Sequence, residues 1–138
     1  MKFDLIITNP PFSRKNTDGR PVNMWVGIIN KCLDNLENGG VLNGIHPSAW
    51  RMGGDGRAGQ LFNRLTKENQ MHYLSMNNVQ EGEKVFNAST SFDWYIVQKQ
   101  TKNDTVVIDY DGIENRINFE NREYLANSMI AELDDITK

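Results

Sequence analysis

The chain has a single cysteine, Cys32, among its 138 residues, so an intramolecular disulfide is excluded. Cys32 falls on an apolar helical stripe and reads as a small core residue. The two histidines, His46 and His72, lie within strand-like runs, far in sequence from any carboxylate or second histidine. We therefore expect no metal site and no catalytic histidine. No apolar run approaches the length of a membrane span. The first such run carries Asp4, so it is not expected to serve as a signal peptide, and a cytoplasmic setting follows. Basic excess is also missing. A net charge of −3 argues against a protein that grips DNA through its whole surface. Repeats, low-complexity tracts and convincing linkers are absent, which predicts one domain over residues 1–138 with a modest core.

What the sequence does have is concentrated at its start. Phe3-Asp4-Leu5-Ile6-Ile7-Thr8 is a short β-branched run and reads as a buried strand. It halts at Asn9-Pro10-Pro11-Phe12. Neither proline donates to a sheet ladder, and Pro11 holds Pro10 towards an extended conformation. This predicts a stiff corner at the carboxyl end of a strand, where ligands of open α/β sheets bind. The Asn9 side-chain oxygen and the Pro10 carbonyl can accept hydrogen bonds from an amino group on a flat ring. Phe12 offers such a ring a stacking face, worth roughly 1–3 kcal/mol per base. The plain alternative is a strand-ending turn with Phe12 in the core.

Further along, Ser13 to Arg20 reads as a polar, mobile loop. A helix follows, with Asn23 as its N-cap, Trp25, Ile28, Ile29, Cys32, Leu33 and Leu36 on one side, and Asn38-Gly39-Gly40 as its stop. A second strand, Val41 to His46, closes at Pro47. Arg51 to Arg57 forms another loop, residues 57–68 a second helix, and Met71 to Met76 a third strand. Alternation of strands and helices predicts parallel pairing with crossovers. The two loops would then rise from one sheet edge, where Arg14, Lys15, Arg20, Arg51 and Arg57 could flank a cleft and meet phosphates. Trp50 either packs over that cleft or anchors its loop. Residues 77–91 read as a polar stretch carrying Phe86, and Phe92 to Lys99 as a strongly β-prone strand. Thr105 to Tyr110 and Arg116 to Phe119 predict a hairpin, and about Asn121 to Asp135 a final helix.

Phe3 to Phe12 resembles the catalytic motif of S-adenosylmethionine-dependent amino-methyltransferases, most closely the DNA adenine-N6 enzymes of restriction-modification systems. Gly39-Gly40-Val41-Leu42 to Pro47-Ser48-Ala49-Trp50 and Val85-Phe86 to Lys99 are similar to later segments of that fold, so the likeness covers about residues 1–99. It implies an α/β fold: a partial Rossmann-like methyltransferase sheet, mostly parallel with an antiparallel strand or hairpin, and helices on its faces. It implies that Asn9, Pro10, Pro11 and Phe12 are catalytic, with Asn9 also near the cofactor. By the same resemblance Phe86 would hold a flipped base, and the loop reading adds Trp50, Arg14, Lys15 and Arg51 as candidate substrate contacts.

The family's glycine-rich turn and acid-tipped strand, which hold S-adenosylmethionine, have no counterpart in this sequence. The resemblance therefore implies a catalytic, base-binding half without the main cofactor-binding half. Its first strand would lack a neighbour, and an open apolar edge invites pairing. A homodimer, a separately encoded half or a longer parent protein would each supply one. RNA, cytosine-N4 or protein-glutamine amines present the same planar –NH2 and stay open as substrates, as does a non-catalytic binding module.

Overall fold

A computed structural model describes residues 1–100 and 103–136. Strand β1 (Phe3–Thr8) is followed by a short antiparallel ribbon of β2 (Ser13–Lys15) and β3 (Pro21–Asn23). Helix α1 (Trp25–Asp34), strand β4 (Leu36–Pro47), a 3-10 turn (Ser48–Met52), helix α2 (Gln60–Thr66) and strand β5 (Gln70–Asn77) come next. The rest comprises α3 (Val79–Phe86), β6 (Phe92–Gln98), β7 (Thr105–Ile108), β8 (Glu114–Ile117) and α4 (Ile130–Ile136).

Six strands form one sheet in the order β1-β4-β6-β5-β7-β8. β1 pairs parallel with β4 and β5 parallel with β7, whereas β6 runs antiparallel to both β4 and β5, and β8 to β7. Four strands thus share one direction and two oppose it. The expected crossovers hold in direction, but β6 is inserted between β4 and β5.

Alternation along the strands divides the sheet into two unlike faces. Leu42, His46, Leu74, Met76, Tyr95, Val97 and Val107 are buried on one face. Trp25, Val26, Ile29 and Leu33 of α1 and Leu61, Phe62 and Leu65 of α2 are buried with them. Trp25 stacks on His46, with ring centroids 4.4 Å apart. Val41, Ile45, Trp94, Ile96 and Tyr73, on the opposite face, are only half-buried.

Several boundaries differ from expectation, each for a local reason. Helix α1 stops before the glycines: the Asn35 side chain donates to the Lys31 carbonyl at 2.8 Å and its backbone N–H bonds back into the last turn. Gly39 and Gly40 lie inside β4 instead. There the pairing with β1 jumps from Phe3–Leu36 to Leu5–Val41, and Gly39 takes a φ of 79° that suits glycine. Asn23 belongs to β3 and does not cap α1, whose N-cap is Met24. The loop expected over Ser13 to Arg20 is the β2–β3 ribbon, its tip fixed by Asn16, whose side-chain oxygen accepts from the N–H groups of Asp18 and Arg20. The polar stretch after β5 contains helix α3, capped by Asn78, which accepts from Glu81 N–H at 3.0 Å. The final helix is shorter than expected, covering Ile130–Ile136 alone.

Candidate active site

β1 ends at Thr8, paired with Gly44, and the chain turns at Asn9. Pro10 is buried under the turn while Asn9 stays exposed. Among the described residues, neither the Asn9 amide nor the Pro10 carbonyl is engaged in a hydrogen bond. Two acceptors therefore stand free on a corner that the prolines keep rigid. Phe12 is half-buried, and its carbonyl accepts from Met24 N–H at 3.4 Å, which closes the base of the ribbon.

Opposite this corner stands Phe86, the last residue of α3. Its ring meets Phe12 edge-on at 5.5 Å and Phe92 edge-on at 4.9 Å. Asn9, Pro10, Pro11, Phe12, Ser13, Phe86 and Ala88 line one open hollow of about 380 Å³. Four residues of the expected catalytic corner and the expected base-holding aromatic thus share one concavity at the carboxyl end of β1. Gly82 lets α3 approach: a Cβ there would sit 1.8 Å from the Thr90 carbonyl oxygen. Ala88 is a lining residue the sequence did not single out. Its signal was the Asn78-x-x-Glu81 capping pattern, which predicts a helix delivering Phe86 and the following residues to that place.

The remaining expected site residues lie elsewhere. Trp50 does not pack over the cleft. It is 0% exposed, its Nε1–H donates to Asp93 Oδ2 at 2.9 Å, and its ring contacts His46, Phe62 and Tyr95. Arg51 does not reach phosphates either. It is 2% exposed and its Nε bonds the same Asp93 oxygen at 2.8 Å. Its other nitrogens donate to Asn127 Oδ1 and the Tyr110 hydroxyl. Both corrections have one cause: Asp93 sits in the middle of the sheet and needs donors from inside the protein. Arg14, Lys15, Arg20 and Arg57 are exposed, and the first three stand on the ribbon that leaves the Phe12 corner.

His46 confirms a structural role. Nδ1–H donates to the Pro47 carbonyl at 2.9 Å, and Nε2 accepts from the Tyr95 hydroxyl at 3.0 Å. Gly44 makes room for that hydroxyl, because a Cβ there would lie 2.6 Å from it. Burial depresses the His46 pKa to about 4, against a smaller opposing pull from the Pro47 carbonyl. Burial also raises Asp93 to about 6, against the pull of Arg51 and the Trp50 N–H.

The two shifts act on stability with opposite sign. Between about pH 4 and 6.5 the unfolded chain carries an extra proton on His46, so that contribution is lost as pH falls. Between about pH 4 and 6 folded Asp93 retains a proton the unfolded chain has released, so its contribution is lost as pH rises. We expect the His46 ring proton resonances of the folded chain to show no imidazolium-sized shift from pH 7.5 to 5, only the small through-space change that titration of its cross-strand partner Asp93 imposes. Imidazolium-sized movement with a midpoint near 6.5 would show that the imidazole is not held neutral.

No glycine-rich turn paired with an acidic residue stands beside the hollow among the described residues. Gly39 and Gly40 are in β4, and Gly53, Gly54 and Gly56 follow the 3-10 turn. A second concavity, about 460 Å³, runs between β1 and α1 and is lined by Phe3, Leu5, Ile6, Ile7, Ile28, Lys31, Cys32 and Asn35. No carboxylate lines it. No described cluster of His, Cys, Asp or Glu suits a metal ion, and no described helix is long and apolar enough to cross a membrane.

No protein-family model and no curated protein matches the sequence. Solved structures do match. The M protein of the type I restriction enzyme EcoKI superposes with a TM-score of 0.60 over 78% of this chain, at 16% identity. The chain shares the fold of a part of this modification subunit. A modification subunit ascribed to a type I restriction enzyme of Vibrio vulnificus YJ016 gives a TM-score of 0.57 over 99% of the chain, at 15% identity. A component of a type I restriction-modification complex gives 0.56, also over 99%, at 12% identity. The chain spans only 25%, 30% and 29% of those three proteins. The match over 99% of the chain takes in the residues that line the hollow at Asn9.

Proposed function

We propose that the chain is the catalytic, base-binding portion of an S-adenosylmethionine-dependent DNA methyltransferase acting on adenine N6. The observation that carries this reading is that Asn9 and Pro10, whose side-chain amide and carbonyl are unengaged among the described residues, line one hollow with Phe12 and Phe86. The bound cofactor would supply the methyl group, and the residues that hold it would come from the missing portion.

The chain's own residues do the rest. An adenine amino group is edge-on within the duplex and must leave the stack to be reached. Asn9 and Pro10 accept its N–H bonds, draw the nitrogen towards tetrahedral geometry and aim its lone pair out of the ring plane. Orientation and placed dipoles supply the rate, and no strong general base is needed because the methylated nitrogen becomes acidic and loses its proton to those acceptors or to water. A base between two ring faces needs about 7 Å, two contacts of about 3.5 Å each. The edge-on contact of Phe12 with Phe86 leaves less, so the Phe86 ring turns aside as the base enters. Helix α3 permits this, since Gly82 is its one buried residue.

The missing portion has a place to dock. β1 is an edge strand, with Leu5 58% and Ile7 73% exposed beside the apolar groove against α1. An unpaired apolar edge of this kind recruits another chain. Sedimentation of the isolated chain is expected to show self-association that Leu5→Lys reduces. A monodisperse monomer at micromolar concentration would contradict an edge built for pairing.

The function is tested by co-expressing the chain with its flanking reading frames and following labelled methyl groups into DNA, RNA and protein. Label at adenine N6 of DNA is expected. Label in RNA or protein alone would transfer the same corner to another planar amine, and no label anywhere would leave a binding module.

A further inference from the structure

The β2–β3 ribbon is the part of this surface that the corner does not explain. Residues 13–23 carry Arg14, Lys15 and Arg20 against one carboxylate, Asp18, a net +2 on a chain whose total is −3. All three cations are exposed, and none forms an ion pair among the described residues. Solvated loop charge would be the ordinary explanation if the segment were loose. It is ordered instead. Arg14 pairs with Val22 and Lys15 with Pro21, Asn16 N–H donates to the Arg20 carbonyl at 2.9 Å, and Gly19 N–H donates to the Asn16 carbonyl at 3.0 Å. Gly19 takes a φ of 75°, so the tip is built on a glycine-type conformation. Such a ribbon presents its side chains at fixed backbone spacing, so binding orders the side chains without having to order the backbone as well.

The ribbon is also joined to the base hollow at both ends. Ser13 lines the hollow, and Met24 N–H, just past β3, bonds the carbonyl of Phe12. Anything that grips the ribbon holds the stacking ring.

Resting on the functional reading above, we propose that this ribbon is a duplex-DNA clamp. Arg14, Lys15 and Arg20 contact phosphates flanking the extruded nucleotide and so set its register against Phe12. Phosphate contacts of this sort position without reading sequence, which suits a chain that is otherwise acidic.

The test is fluorescence anisotropy of a 20-base-pair duplex titrated with the 138-residue chain at several salt concentrations. Each neutralised phosphate contributes about −0.9 to the slope of log affinity against log salt. Arg14→Ala, Lys15→Ala and Arg20→Ala should each flatten the slope by about 0.9, and the triple variant by about 2.7. Arg116→Ala removes a cation from β8, at the far edge of the sheet, and should leave the slope unchanged. Equal effects of Arg116→Ala and Arg14→Ala would reduce the ribbon to general charge and overturn the clamp. Absence of salt-dependent duplex binding by the unmodified chain would overturn it too, as would equal affinity for single strands of the same sequence. Each of these results leaves methyl transfer at Asn9 to its own assay, so the two readings fail separately.

Discussion

Replacement of Asn9 by alanine is expected to lower methyl transfer by the assembled enzyme about 10²–10³-fold, the typical loss when one placed polar contact to a reacting group is removed. The loss should fall on kcat more than on KM. Stacking on Phe12 survives the change, whereas the contact that pyramidalises the amino nitrogen strengthens only as the methyl group arrives. Stability should hardly move, since Asn9 is exposed and its side chain makes no hydrogen bond within the described structure; surface changes of this kind stay within about 0.5 kcal/mol. A variant retaining most of the activity would remove the acceptor role. A variant that unfolds would show that the amide supports the corner itself.

Asp93→Ala is expected to have the largest effect on folding. The change leaves the Arg51 guanidinium buried without a counter-charge and the Trp50 N–H without an acceptor. Breaking a buried pair by removing one partner costs about 3–5 kcal/mol, a large share of the roughly 5–15 kcal/mol that holds a domain together. Arg51 also fastens the C-terminal segment, through Asn127 and Tyr110 and through its own carbonyl, which accepts from Leu125 N–H at 2.9 Å. Urea unfolding should therefore show a large fall in midpoint. Substituting both partners with apolar residues, Arg51→Met with Asp93→Leu, should recover much of it, because the desolvation cost disappears together with the attraction. A single variant within 1 kcal/mol of the parent would mean that water reaches the pair.

The parts of the fold that could be read from the sequence were those where local chemistry and tertiary setting agree. Phe3 to Thr8 is β-branched and stopped by prolines, and it is a strand ended at that corner, though as an edge strand with Leu5 and Ile7 exposed and not the buried strand expected. Phe92 to Gln98 is aromatic and branched, and it sits at the centre of the sheet. The hairpin of β7 and β8 followed from two short branched runs around Asp111-Gly112. Where several structures shared one signal, the reading went astray. Gly39-Gly40 suits a helix stop and a strand irregularity equally, and pairing with β1 decided for the second. The polar composition of residues 77–91 concealed α3, although Asn78 and Glu81 held the capping pattern. Arg51 looked like a loop cation because nothing local reveals that Asp93, 42 residues later, lies within reach. A carboxylate inside an apolar strand was the available clue, since such a group demands a buried donor.

The central claim is that the hollow between the Asn9 corner and Phe86 receives a flat amine. Titration of the isotopically labelled chain with an adenine nucleoside, followed by NMR, tests it most directly. The account predicts that the Asn9 side-chain amide and the ring protons of Phe12 and Phe86 shift together and saturably. Shifts confined to the groove between β1 and α1, or none at those three residues, would contradict it.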